Sequence, residues 1–208
     1  VVLQSGRVFP RMVVSYKTFG TLDAARSNVI VYPTSYSAQH SDIEFMVAEG
    51  GALDPSRYFI VIVDLLGNGL SSSPSNTPPF ADGGYPDVTY FDAVSVQRRM
   101  LRELWGIETV ALVYGWSMGG LQAYHWAALF PEAVERAIVV CGSARTAVHN
   151  RVFLRSLMAT LEAAPEHLGR GRFSAEPEAA KPALGRTSAG WARATGCSTP
   201  GKHPAPAP

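Results

Sequence analysis

The sequence predicts an α/β fold: a mostly parallel sheet with helices on both faces, incomplete at its C-terminal side. Three observations carry this. Short, uninterrupted, β-branched apolar runs recur as far as Gly142. Helix-period segments stand between them. One of the runs ends in a glycine-flanked serine that opens a helical pattern. Strand-helix alternation of this kind is the signature of parallel strands covered by crossover helices.

The elements follow in order. "RMVVSYKTFG" (Arg11 to Gly20) alternates loosely and stops at glycine, which predicts an early strand solvated on one face. "NVIVYP" (Asn28 to Pro33), "YFIVIVD" (Tyr58 to Asp64), "TVALVYG" (Thr109 to Gly115) and "RAIVVCG" (Arg136 to Gly142) predict strands buried on both faces. "TYFDAVSVQRRMLRELWG" predicts a helix with Thr89 as N-cap and Asp92 three residues on. Its apolar stripe is Val94, Met100, Leu101 and Leu104, and Gly106 is its stop. "SMGGLQAYHWAALFPE" predicts a second helix ending near Pro131. The Gly/Ser/Pro-rich stretch from Gly67 to Asp87 predicts a long functional or mobile loop. Beyond about Arg193 the chain has no period and little to bury, which predicts disorder. The division is thus a core over 1–154, a partial lid or helical segment over 155–192, and a disordered tail over 193–208.

Composition narrows the class. A chain of 208 residues with 47% hydrophobic and 17% charged residues suits a globular domain with a sizeable core. A net charge of +1 gives no strong attraction to nucleic acid or an acidic membrane. No run has the length of a membrane span, and no basic-then-apolar leader opens the chain, so a reducing cytoplasm is the expected location. The two cysteines are expected to be a buried core thiol, Cys141, and an incidental one, Cys197. Neither has a metal-binding spacing.

"LVYGWSMGG" (Leu112 to Gly120) carries the chemistry. Strand, sharp turn and helix occur in that order around Ser117, within G-x-S-x-G. A serine on such a turn projects its hydroxyl above the sheet, and the helix that follows directs its positive end at developing negative charge. Gly115 and Gly119 lack side chains that would collide with the neighbouring elements. The bland alternative is a helix-capping serine in a glycine turn. Serine acylation needs two donors for the oxyanion. The N–H of Met118 is one. The loop "PTSYS" supplies the other, from Ser35 or Thr34, unless it is an ordinary turn.

With "SYKTFGTLDAARSNVIVYPTSYS", "ALDPSRYFIVIVDLLGNGLSSSPSNTPP" and "VTYFDAVSVQRRMLRELWGIETVALVYGWSMGGLQAYHWAALFPEAVERAIVVCGSART" the chain resembles the homoserine O-acetyltransferase-like branch of the α/β-hydrolase superfamily. The resemblance implies a serine nucleophile with a histidine base and an aspartate. It implies ping-pong transfer of an acetyl or other acyl group from coenzyme A to a small hydroxyl substrate, with acetyl-coenzyme A as donor and no permanently bound cofactor or metal. It implies a homodimer, and it puts Arg186 where those enzymes hold the substrate carboxylate; a solvated surface arginine is the other reading. The authentic acetyltransferases usually read His-Ala-Leu-Thr-Gly where this chain has "PTSYS", and Gly-Gly-Ser-Met-Gly-Gly at the elbow. An ester or amide hydrolase therefore stays open beside the acyltransferase.

In this family the triad runs serine, acid, histidine along the chain. No strand-like run follows "RAIVVCG", and "CGSART" offers no carboxylate. Asp64 precedes the serine. His125 lies roughly 12 Å along its helix from Ser117. His40 is expected to cap or line a pocket. His149 is the one downstream candidate for a base. The acid and base are thus expected to be missing, the C-terminus to be truncated or altered, and "RAIVVCG" to be left as an apolar edge. A catalytically inactive fragment is the reading from another class.

Overall fold

The structure, a computed structural model, describes residues 1–78, 80 and 83–194, and forms two compact units, Val1–Arg145 and the part that begins at Thr146. The first unit is built on five strands: β1 (Tyr16–Phe19), β2 (Val29–Pro33), β3 (Phe59–Val63), β4 (Leu112–Trp116) and β5 (Ala137–Val140). Their order is β1-β3-β2-β4-β5. β1 runs antiparallel to β3 and every other pairing is parallel. The central position of β2 follows from its sequence, since all five of its residues are buried, as are those of β3. A strand apolar on both faces is stable only with cover on both.

Alternation along β2 and β3 divides the core. Val29, Val31, Phe59, Val61 and Val63 pack on one face with Val94, Leu101, Ala123 and Trp126. Ile30, Tyr32, Ile60 and Ile62 pack on the other with Leu53. The first face is covered by α2 (Tyr90–Trp105) and α3 (Met118–Leu129). The other carries the segment around Ile43, which holds the one-turn helix α1 (His40–Ile43). α2 begins and ends where expected. Thr89 and Asp92 exchange capping hydrogen bonds, and Gly106 closes the helix at φ 61°. Its buried stripe differs from the expected one. Ala93, Val94, Gln97 and Leu101 are buried, whereas Leu104 is exposed. The polar Gln97 takes an inner place because α3 offers it partners.

Other expectations are corrected. The early strand is only its last part, Tyr16–Phe19. β5 is not buried on both faces. Its residues are exposed or half-exposed, because it pairs only with β4 among the described residues. Cys141, expected in the core, is exposed and sits at φ 53° just past β5. The first part of the loop after β3 is tied to the segment before β1. Ser71, Ser72 and Ser73 are buried; the first two hydroxyls accept from the N–H groups of Ser15 and Val13.

The division falls between Arg145 and Thr146, nine residues before the expected end of the core. The second unit contains α4 (Val148–Glu162), a short hairpin of β6 (His167–Gly169) and β7 (Arg172–Phe173), and α5 (Lys181–Ala194). α4 and α5 meet through a stacked Phe153–Trp191 pair and a Trp191–Asn150 hydrogen bond. The hairpin corrects the expectation of no strand after "RAIVVCG". Arg193 and Ala194, assigned to the tail, close α5. The rest of that tail, with Cys197 and His203, lies outside the described residues. No helix among those described is long and apolar enough to cross a membrane.

Candidate active site

β4 delivers its chain to a sharp reversal at Ser117 and α3 leaves from it. Ser117 has φ 53° and ψ −116°, a sparsely populated conformation for a residue with a side chain, worth about 1–3 kcal/mol of strain. The surrounding backbone holds it there. Its N–H donates to the Val140 carbonyl at 2.8 Å, and its carbonyl accepts from Leu121 at 3.1 Å. Its hydroxyl caps nothing in α3, so the capping-serine reading loses its basis. The side chain is half-buried and free for other work.

The glycines around it are required by contact. A Cβ on Gly115 would lie 2.1 Å from the Gly119 carbonyl oxygen, and one on Gly119 would lie 2.6 Å from that of Pro33. Real side chains never come so near, so the turn closes only with glycine at both places. The second contact also brings the loop after β2 against the first turn of α3. Ser35 completes the join by donating its hydroxyl to the Trp116 carbonyl. The N–H groups of Ser35 and Met118 donate to no partner among the described residues. Two unpaired backbone donors thus stand on adjoining segments beside Ser117, and α3 presents its positive end to the same place.

Thr34 does not share this part, because each of its polar groups is already engaged inside. It is fully buried; its N–H donates to Val63, its hydroxyl accepts from Leu65, and its carbonyl accepts from Gln122. Thr34 therefore fastens the loop after β2 from within. Arg186, which the resemblance implies would hold the substrate carboxylate, is exposed on α5 in the second unit.

A pair set aside on chain order comes together in the first unit. Asp64, buried at the tip of β3, accepts from His40 twice, from its N–H at 2.9 Å and at Nδ1 at 2.7 Å. Asn68 donates to the same carboxylate at 3.0 Å. The signal was present in the sequence: a carboxylate ending a buried strand, and a histidine in the loop after a second one. Tips of neighbouring parallel strands meet, whatever their order in the chain. β3 and β4 flank β2 on opposite sides, however, so their tips stand about 9.5 Å apart. The imidazole is also turned to Asp64, which suits an anchor for the loop better than a base for Ser117. His125 is engaged too, bonded at Nδ1 to the Leu121 carbonyl and packed on Tyr90. His149 is exposed in α4 of the second unit. Tyr32 and Tyr114 meet edge to face below the loop. Burial first, and Tyr114 second, push the Tyr32 hydroxyl up to about 12, so it stays protonated. Among the described residues no cluster of His, Cys, Asp or Glu could hold a metal ion.

Residues 38–197 match the family model described as the alpha/beta hydrolase fold. An ethyl acetate hydrolase of Pseudomonas veronii is 42% identical over 165 residues, 78% of this chain and 47% of that protein. The crystal structure of an acetylester hydrolase from Corynebacterium glutamicum is similar at a TM-score of 0.84 and 37% identity, covering 93% of this chain and 56% of that one. A homoserine O-acetyltransferase of Chlorobium chlorochromatii is 36% identical over 152 residues, 69% of this chain and 42% of that protein. The chain spans about half the length of the curated relatives it matches.

Proposed function

This chain belongs to the α/β hydrolase fold family, and we propose from that footing that Ser117 serves the hydrolysis of small esters, of which an acetate ester is the model case. The observation that carries the reading is the elbow. A half-buried serine is held at positive φ by backbone alone, beside two unpaired N–H groups on adjoining segments. The esterase relatives favour water as the acceptor over the acyltransferase first expected, since they are more alike in sequence than the homoserine O-acetyltransferase.

In the chain as described, Ser117 Oγ adds to the ester carbonyl and gives up its proton to solvent water. The oxyanion that forms accepts from the N–H groups of Met118 and Ser35. Its collapse expels the alcohol, which takes a proton, and leaves an acyl-enzyme. Water then adds to the acyl carbon, and the acid leaves as Ser117 recovers its proton. Each donor of this kind is worth about 100-fold or more in rate, because it is aimed at charge present only in the transition state.

The test is acetylation by p-nitrophenyl acetate, followed by mass spectrometry of the Ser117 peptide. An acetyl group on Ser117, lost with the nitrophenol burst in Ser117→Ala, is the expected result. Where oxyanion donors act without a complete triad, a residual rate about 10³-fold above water is expected. Equal nitrophenol release from both proteins would mean an inactive chain. A second reading is acyl transfer from acetyl-coenzyme A to a small hydroxyl substrate, supported by the homoserine O-acetyltransferase match. In it Arg186 would hold the substrate carboxylate, its guanidinium fork suiting that group. Adding homoserine to the acetylated protein separates the two: O-acetylhomoserine favours transfer, acetate alone favours hydrolysis.

A further inference from the structure

The N–H of Ser35 belongs to a peptide unit whose other end is held from inside the protein. The Thr34 carbonyl accepts from Gln122 Nε2 at 3.1 Å. Gln122 Oε1 accepts from Gln97 Nε2 at 2.7 Å, and Gln97 Oε1 accepts from Trp126 Nε1 at 2.8 Å. Both amides and the indole are buried. The direction of this chain has only one solution. An indole N–H can only donate, so Gln97 must turn its oxygen to Trp126 and its NH₂ to Gln122. Gln122 must then turn its own oxygen to Gln97, and its NH₂ is left for Thr34. Every donor is consistent with its neighbour, from the core of α3 out to the loop.

We propose that Gln122 is a positioning residue of the oxyanion hole, its amide fixing and polarising the Thr34–Ser35 peptide so that the Ser35 N–H is presented to the oxyanion. The inference rests on the ester-hydrolysis reading of Ser117. The geometry is that of a planar trans peptide, in which C=O and N–H point opposite ways. A carbonyl held inward on Gln122 therefore turns the next N–H away from the core. Rotating the peptide would leave a buried amide without its acceptor, which resists the motion. A donor at the carbonyl also draws electron density from the nitrogen, and bonds in series strengthen one another. Gly119 contributes by absence. A Cβ there would lie 2.6 Å from the Pro33 oxygen, so the strand end just before this peptide comes this near the helix only over a glycine. Ser35 fixes the far side of the same unit through its hydroxyl bond to Trp116.

Gln122→Met keeps the length of the side chain and removes the donor; Gln122→Glu sets a carboxylate against the Thr34 oxygen. Both are compared with wild type in acylation of Ser117, by p-nitrophenyl acetate, which leaves an acetyl group, and by its thiono analogue, which leaves a thioacetyl group. The thiono compound develops its charge on sulfur and draws less from N–H donors. Acetylation by the oxygen ester should slow by about tenfold at saturation, a fraction of a whole donor's worth, with the half-saturating concentration unchanged. The thiono rate should fall far less. Trp126→Phe, which removes only the far donor, should act in the same direction by a smaller factor and serves if the Gln122 variants fail to fold. A readout independent of activity is the Ser35 amide proton, whose resonance should move upfield in each variant. Equal loss with both substrates, a change in half-saturation alone, or an unmoved Ser35 resonance would overturn the proposal. A wild type that never acetylates Ser117 would overturn the hydrolase reading and this inference with it. A wild type that acetylates, with Gln122 variants that match it, would overturn this inference alone.

Discussion

A methyl group at Gly115 would stand 2.1 Å from the Gly119 oxygen, with the carbonyl carbon and the next nitrogen almost as near. Backbone on all sides cannot yield. Gly115→Ala should therefore cost more than the usual overpacking penalty of about 1–3 kcal/mol, or prevent folding. Gly120→Ala meets the Val139 side chain at 3.1 Å and the Gly115 oxygen at 3.2 Å, a milder conflict. Urea unfolding of the two variants should rank them in that order, and equal losses would refute the contact argument. At this scale the sequence was readable where the requirement was local. G-W-S-M-G is a five-residue pattern, and strand, turn and helix around Ser117 stand where it predicts them. It was not readable where the partner lay far off. Nothing in "PTSYS" shows that Thr34 is engaged by a residue 88 positions later.

At the scale of the element, α2 is the best specified. Thr89 and Asp92 cap each other, and Asp92 Oδ1 also accepts from the N–H of Gln4 at 2.6 Å. Thr89→Ala should cost about 1 kcal/mol, the ordinary worth of a cap. Asp92→Ala should cost more, since it strands the Gln4 donor as well as the Thr89 N–H. Thermal melts that give the reverse ranking would count against this. A capping box and a C-terminal glycine are chemical signals, so both ends of α2 were legible. Its apolar stripe was less so, because Leu104 and Gln97 exchange the places their polarity suggests. β5 shows the same limit. "AIVV" reads as buried on both faces, but burial is a property of neighbours, and apolar letters alone do not supply them. β6 and β7, three and two residues long, are too short to show any period.

On the scale of the whole molecule, the first unit has one well-buried strand pair at its centre and, among the described residues, an open apolar margin at β5. Ile138 is 47% exposed. An unpaired apolar strand invites another strand, and charges on such an edge oppose that. Ile138→Lys should reduce self-association of this chain, measured by sedimentation velocity across a concentration series. Unchanged association would place the contact elsewhere. The fold class was legible as a whole because strand-helix alternation survives errors in any one element. The boundary between units was not, since α4 continues an amphipathic pattern across the position where the core was expected to end.

The conformation of Ser117 comes from its neighbours and its amide, and its own hydroxyl contributes nothing to the fold. Shaping the seat and choosing its occupant are thus separate matters. A thiol or a small carboxylate could be installed at that place with little cost to folding, and one scaffold could change its chemistry through a single codon.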